Sequence, residues 1–472
     1  MYTYQDLLNA GKTDESKLSF VRSCIREHKA SELYEIADTA DDYDRMLNRT
    51  ISQYKKLLYT MSGEAVPDNY SANYKLSSKF FNRFVTQETQ YLLGNGIEWS
   101  NEGTEEKLGK DFDTRLQEIA KASLVCGVAF GFFNLDHLEV FSLLEFAPLY
   151  DEENGALRAG IRFWQIDESK PLRATLYEED GITDYAWGLN DEQGTKDAGQ
   201  VIKPKRPYTQ KVESSIADGT EIYDGENYPT FPIVPLWGNP HKQSELIGIR
   251  EQIDAYDLIK SGFANDLDDA SQIYWTIQNA GGMDDLDLAK FVERMKTVKA
   301  SVIDENGSTA ESHTIEVPYN AREAILNRLE KDLYKDYMAF NPETISNGAV
   351  TATQIKAAYE PINSKADQFE YCIHDFLDGI LAIIGIEDDA TFTRSMIVNA
   401  QEEVQTIIMA SGYLDSTYIT EKILNLLGDG DKAEEVLRAI DIEDIDRFTG
   451  DNDGQGTEED GQNAEENGEE VF

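Results

Sequence analysis

Apolar residues recur at helical spacing near both ends of the chain and bunch into short runs in the middle. Residues 1–65 read as polar helix, with Ile51, Tyr54, Leu57 and Leu58 at steps of three and four. Pro67 and Asp68 mark a loop. The run 77–93 predicts a helix whose apolar face is Phe80, Phe81, Phe84, Val85 and Tyr91, stopped by Gly94-Asn95-Gly96. Residues 116–125 predict the next helix. From Gly127 the texture changes. Segments 128–133, 138–141, 159–164, 172–177 and 184–187 predict strands, parted by Glu153-Asn154-Gly155 and Asp180-Gly181. Residues 127–237 are thus mostly β, with 189–228 expected as long loops. The prolines between Tyr228 and Trp237 suit an edge strand.

Helical spacing then returns. Residues 244–270 predict a long helix of roughly 40 Å, with Ile249, Ile253, Tyr256, Ile259, Phe263 and Leu267 on one face. A small α/β unit follows. Strands are expected at 273–277, 300–303 and 313–317, a helix at 286–298, and a turn at Glu305-Asn306-Gly307. A second helix over 321–340 carries Leu326, Leu329, Leu333, Tyr337 and Phe340 on one face. Two helices flanking an insert can form an antiparallel stalk with the insert at its tip. Residues 341–352 read as a loop. A third helix, 353–384, places Ile355, Ala358, Ile362, Phe369, Ile373, Leu377 and Ile380 at helical spacing. Pro361 should kink or break it. Short acidic helices are expected over 401–447, with Asp415 or Ser416 as an N-cap. The tail 449–472 has acids and no Lys or Arg, and is expected to be disordered.

Length and charge sharpen this picture. The 472 residues leave room for about three domains. The chain holds 43 basic and 89 acidic residues, a net charge of −46. That balance opposes ordinary nucleic-acid binding, which needs Lys and Arg on phosphates. It suits a basic partner, a surface past which DNA slides, or simply an acidic cytoplasmic protein. Cys24, Cys126 and Cys372 are scattered, which suits a reducing compartment. The N-terminus lacks the apolar core of a signal peptide. The apolar stretch 377–386 is broken by Asp378 and is too short for a membrane span.

Chemistry is sparse. Gly103 to Lys110 resembles a phosphate loop, but its spacing is one residue long and Asp111 stands where Ser or Thr should hold magnesium. None of His28, His137, His241, His313 and His374 forms a zinc motif. Cys372 and His374 face different directions on a helix. Asp451-Asn452-Asp453-Gly454 lacks the closing Glu of a calcium loop. No cofactor and no metal are expected. On the second long helix Arg328, Lys331 and Lys335 share a stripe. It could meet DNA phosphates or a neighbour's acids, or be a solvated face beside Asp332 and Asp336.

Several stretches carry a resemblance. NRFVTQETQYLLGNGI, Asn82 to Ile97, is similar to a helix ending in a YLLG.PI turn in the portal protein family of tailed bacteriophages, of the siphophage type from Gram-positive hosts. Asn95-Gly96 stands in place of the usual residue and proline. YDEENGALRAGIRFW, from Tyr150, resembles that family's wing hairpin. FPIVPLWGNP, from Phe231, with Ser244-Glu245-Leu246 and 253–257, resembles the lead into its first stem helix. TATQIK, from Thr351, looks like the start of its kinked tunnel helix, and GYLDSTYITEK, from Gly412, like its crown. These cover residues of about 50–440 in the family's order.

The resemblance implies an α+β portal fold. Its parts would be a wing (1–240), a first stem helix (241–270), a clip (271–320), a second stem helix (321–340), a tunnel loop (341–352), a tunnel helix (353–400), a crown (401–448) and an acidic tail (449–472). It implies a dodecameric ring at one capsid vertex of the virion, assembled in the host cytoplasm, with no membrane and no enzymatic activity of its own. Partners would be the terminase large subunit, capsid and scaffolding proteins, a head-completion adaptor, and double-stranded DNA passing through without sequence specificity. Ser346, Asn347, Gly348, Thr351 and Lys356 would face the channel. Another acidic virion protein, such as a head–tail connector or scaffold, is the alternative, and a hydrolase without a recognisable motif a third.

Overall fold

The computed structural model describes residues 2–59, 62–68, 71–101, 103–188, 199–217, 220–270, 274–278, 290, 293, 309–313, 318–345, 351–395, 400–410, 413–427 and 436–438. The chain divides into two compact units, Met1–Pro342 with Ala358–Met396, and Glu343–Ala357 with Ile397–Phe472.

In the first unit, helices α1 (Tyr4–Asn9), α2 (Asp14–Lys29), α3 (Glu32–Asp44) and α4 (Arg49–Gln53) open the chain. Thr3, Thr13 and Ser31 cap the first three by accepting backbone N–H bonds. The helical reading fails at Leu57 and Leu58. Strand β1 (Leu57–Tyr59) pairs antiparallel with β2 (Ala65–Pro67). The backbone leaves helical geometry at Tyr54, and four apolar positions are too short a run to separate the two periods.

Then follow α5 (Phe80–Leu93), β3 (Ile97–Trp99), α6 (Thr104–Leu108) and α7 (Phe112–Cys126). Helix α5 starts three residues later than its periodicity predicts, because Ser78 N–H donates to Asp257 and keeps that segment extended.

The β region is β4 (Val128–Asn134), β5 (His137–Ser142), β6 (Phe146–Tyr150), β7 (Leu157–Trp164), β8 (Leu172–Glu178), β9 (Gly181–Trp187), β10 (Gln200–Arg206), β11 (Thr209–Ala217), β12 (Thr220–Glu226) and β13 (Ile233–Trp237). Strands β6 to β10 form a five-stranded antiparallel meander, and β13-β4-β5 a three-stranded sheet with proline-bearing β13 on its edge. Within 189–228, expected as long loops, residues 200–206, 209–217 and 220–226 are strand. Their signal is weak because β10 is an edge strand and β11–β12 is a lone hairpin, so neither needs a continuous apolar face.

Helix α8 (Arg250–Ala270) leads to the antiparallel pair β14 (Tyr274–Gln278) and β15 (Thr309–His313), then α9 (Tyr319–Tyr337) and a 3-10 turn (Pro342–Ile345). The insert therefore closes on itself at its base. Strand β15 ends where the third predicted strand was to begin. The expected elements at 286–298 and 300–303, the turn at 305–307 and residues 314–317 lie outside the described residues, apart from Lys290 and Glu293, which are helical. Helix α8 starts at Arg250 and not near 244. Gly248 sits at φ 93, and Ser244 is tied to the Val125 carbonyl, so those residues cannot extend the helix. At 21 residues α8 is roughly 30 Å long.

Helix α10 (Ala352–Ile384) runs through Pro361 without a break. Strand β16 (Ala390–Phe392) then pairs with β3, nearly 300 residues earlier in the chain. In the second unit, α11 (Ala400–Ala410) and α12 (Ser416–Leu427) form a helical pair, and Asp415 caps α12 through Thr417 N–H. The tail 449–472 lies outside the described residues.

The main core is phenylalanine-rich. Phe84, Phe130, Phe141, Phe146, Phe369 and Phe376 pack where α5, α7 and α10 meet the sheets. Each such ring contributes about 1.5–3 kcal/mol by leaving water. A second core lies between α2 and the meander, around Val21, Ile161, Leu176 and Tyr185. Buried Lys17 fixes α2 there by a double hydrogen bond to Glu178. Gly127, at φ 88, joins α7 to β4 where a Cβ would lie 2.9 Å from the Gln243 backbone.

Candidate stem and channel surfaces

Helix α8 is built on a polar stripe. Beyond Ile253, Asp257, Ser261 and Asn265 are its buried positions among the described side chains. Each accepts one backbone N–H from an extended segment: Ser78 to Asp257 at 2.9 Å, Leu76 to Ser261 at 3.0 Å and Tyr74 to Asn265 at 2.6 Å. The match is geometric. Two residues of extended chain advance about 6.6 Å and four of helix about 6.0 Å, so alternate N–H groups meet every fourth side chain. Asn48 also donates to Asp257, and Tyr43 and Thr50 donate to Asp254. Burial raises the Asp257 carboxyl, and the bonds from Asn48 and Ser78 oppose that shift.

Helices α8 and α9 are antiparallel, as expected of a stalk. Gln252, early in α8, donates to Asp336, late in α9, while Arg322, early in α9, pairs with Asp266, late in α8. Leu333, Tyr334 and Tyr337 bury the final turns of α9. Arg328, Lys331 and Lys335 are all exposed on the outer stripe, and Arg328 lies 3.6 Å from Asp332.

At the end of α9 a buried charge cluster joins four segments. Lys365 of α10 lies 2.6 Å from Glu245, in the chain leading to α8, and 3.3 Å from Glu88 of α5. Its ammonium also faces the Tyr337 ring and donates to the Tyr337 carbonyl at 3.2 Å. The Tyr337 hydroxyl donates to Glu88 at 2.7 Å. Glu88 is fully enclosed, and burial pushes its carboxyl up to about 7 against the pull of Lys365. Two carboxylates thus share one ammonium.

The same neighbourhood explains why Pro361 does not break α10. Tyr359 stacks on Phe340 at 4.1 Å and on Tyr91, while the Tyr91 hydroxyl bonds Asn363. Arg394, two residues past β16, holds Asp367 and Glu370. Packing on both sides of the proline holds the helix together where one backbone bond is lost.

Thr351 has a defined local role. Its hydroxyl accepts Gln354 N–H at 3.3 Å, and Gln354 Oε1 accepts Thr351 N–H at 3.1 Å. This reciprocal pair is a capping box that starts α10. Lys356 is exposed one turn on. Ser346, Asn347 and Gly348 lie outside the described residues. The stem stripe, the 3-10 turn over Pro342–Ile345 and the start of α10 are therefore described, and residues 346–350 are not. Sequence reading missed Glu88, Glu245, Lys365 and Asp257, and only the Thr351-x-x-Gln354 spacing carried a local signal.

Nucleophilic chemistry finds little support. Burial pushes the Cys24 and Cys126 thiols up to about 12. It also holds the His28 imidazole below its ordinary value, with Nε2 2.8 Å from the Leu143 carbonyl. Residues 103–110, the rejected phosphate loop, hold short α6, whose Thr104 donates to Asp388. Among the described residues no group of three or more His, Cys, Asp and Glu is placed to hold a metal, and no helix is long and apolar enough to cross a membrane.

Comparison with known proteins bears on most of the chain. The portal protein of Clostridium phage phiCD119 is 24% identical over 380 residues, covering 74% of this chain and 81% of that protein. The portal protein of Bacillus phage SPP1 is 24% identical over 405 residues, covering 77% and 75%. Among solved structures, a chain from the neck of an empty GTA particle, computed with C6 symmetry, aligns with a TM-score of 0.41 at 11% identity, over 74% of this chain and 90% of that one. A chain from the neck of a native GTA particle, computed with C12 symmetry, gives 0.40 at 11% identity, over 73% and 89%. The family described as phage portal protein, SPP1 Gp6-like, matches residues 29–445. The chain belongs to that family of phage portal proteins.

Proposed function

We propose that this chain is the ring subunit of a portal at a single capsid vertex, the conduit for double-stranded DNA during packaging and ejection. The observation that carries this reading is the family match across residues 29–445. The antiparallel α8–α9 pair supports it, since such a pair can hold the insert between residues 271 and 318 at an exposed end. The family resemblance implies twelve copies in the ring, within the virion.

The finer assignments belong to the same proposal. The insert is the clip on which the terminase large subunit, and later a head-completion adaptor, docks. Scaffolding and capsid proteins meet the wing. Ser346, Asn347 and Gly348 form the tunnel loop, with Thr351 and Lys356 at the start of the tunnel helix. Arg328, Lys331 and Lys335 give weak contacts to passing phosphates. With a net charge of −46, the ring repels DNA over most of its surface, which favours sliding over binding. Nucleotide hydrolysis belongs to the docked motor.

Crosslinking tests the channel. Asn347→Cys in rings that retain DNA should react with duplex-tethered thiol probes, and cysteines placed in the tail should not. The reverse pattern contradicts the assignment. Deleting residues 281–307 should abolish terminase docking while the wing stays folded, and undiminished docking contradicts the clip.

A further inference from the structure

Helix α8 spends its most buried stripe on polar side chains and leaves an apolar flank open. Leu258, Ile259 and Gly262 face Ala321 and Ile325 of α9 across a groove of about 470 Å³. Arg322 also lines it and is already committed to Asp266. A Cβ on Gly262 would meet nothing within 4 Å, so the groove floor is open. Ile325 on its wall is 40% exposed. Further along α8 the apolar face continues to Leu267, 51% exposed.

A ridge of matching chemistry stands beside a different flank of α8. The segment hydrogen-bonded to Asp257, Ser261 and Asn265 presents Tyr74 and Leu76, and the adjoining β1–β2 hairpin presents Leu57 and Val66, all exposed. The two pieces are neighbours: Lys56, just before β1, donates to the Ala72 carbonyl at 3.5 Å, and Lys75 donates to the Ser52 carbonyl at 2.6 Å. The ridge also reverses the sign of the chain. Residues 54–79 hold Lys55, Lys56, Lys75 and Lys79 against Glu64 and Asp68.

We infer that the ridge of one copy seats in the α8–α9 groove of the next copy. This rests on the ring reading proposed above, and it names the surfaces that close the ring. Charge selects the occupant. Copies carrying −46 each repel at most orientations, and the basic ridge is where approach is favourable. Acids flank the groove along both helices: Asp266, paired with Arg322, and exposed Asp268 follow Gly262 on α8, and exposed Glu323 follows Arg322 on α9. Lys75 and Lys79 beside the apolar ridge complement those acids. Geometry selects the mode. Ridge and groove are different surfaces of one chain, so their union is heterologous and propagates head to tail, which closes into a ring or opens into a filament. The missing side chain at Gly262 lets a ridge side chain approach the helix backbone.

The test uses the full chain in a Cys372→Ser background, since Cys24 and Cys126 are buried. Val66→Cys on the ridge with Ile325→Cys on the groove wall, both exposed, should give, on oxidation, a ladder of covalent multimers, whereas each single cysteine should give none above a dimer. Gly262→Trp fills the groove and should lower the ring fraction roughly tenfold, the scale of losing a central apolar contact. Its circular dichroism and urea midpoint should stay those of the parent. If the parent forms rings, the double-cysteine chain yields no ladder and Gly262→Trp still forms rings, the inference is overturned and the ring stands. If the parent is monomeric throughout, the ring reading itself fails and takes the inference with it.

Discussion

Replacing Lys365 with methionine strips the shared cation from Glu88 and Glu245 while keeping most of the side-chain volume. Glu88 is 1% exposed and Lys365 13% exposed, so water can replace little of the lost interaction. Breaking a buried pair by removing one partner costs about 3–5 kcal/mol. Part of that cost is relieved where Glu88 takes up a proton, which it does readily because burial already holds its carboxyl near 7. The loss should therefore be about 3 kcal/mol or more at pH 8 and markedly smaller at pH 5. Urea unfolding followed by tryptophan fluorescence at both pH values measures it. Adding Glu88→Gln to Lys365→Met should recover much of the loss at pH 8, because the fully enclosed charge is then gone and only the partly exposed Glu245 is left. A loss under about 1 kcal/mol at pH 8, or a double variant no better than the single, refutes the buried-cluster reasoning.

The same carboxyl sets a pH dependence in the parent chain. Its folded value lies above the unfolded one, so the folded state binds the extra proton, and stability falls as pH rises from the ordinary glutamate range to about 7. Glu88→Gln should flatten that slope and should be more stable than the parent above pH 7, as read by urea midpoints. Asp257→Ala should cost about 2–3 kcal/mol, because Ser78 N–H and the Asn48 amide lose a buried acceptor; thermal melting checks it. Native protein should show no fast thiol at Cys24 or Cys126 with a disulfide reagent at pH 8, with all three cysteines reacting in denaturant.

The sequence was most legible where one period runs long and one face is buried. Helices α5, α9 and α10 and strands β4, β7 and β8 all sit close to their predicted spans, since each sends regular apolar positions into a core. The polar segments were harder. Strand β10 is the edge of the meander and β11–β12 a separate hairpin, so their alternation is weak. Helix α8 was found, but its face was misread in part. Ile249 and Ile253 do enter the core, yet farther along the helix the buried stripe is Asp257, Ser261 and Asn265. Hydropathy cannot reveal that choice, because the partner is the backbone of residues 74–78. Lys365, Glu88 and Glu245 are equally silent, as three ordinary charges far apart in sequence. The Thr351 cap was visible in principle, because a capping box is a local pattern.

Electron microscopy of the purified chain in negative stain tests the central claim most directly. The account predicts closed rings with a central hole, present in dilute buffer without any partner or nucleotide. Folded single chains at every concentration, or open filaments that never close, would contradict it.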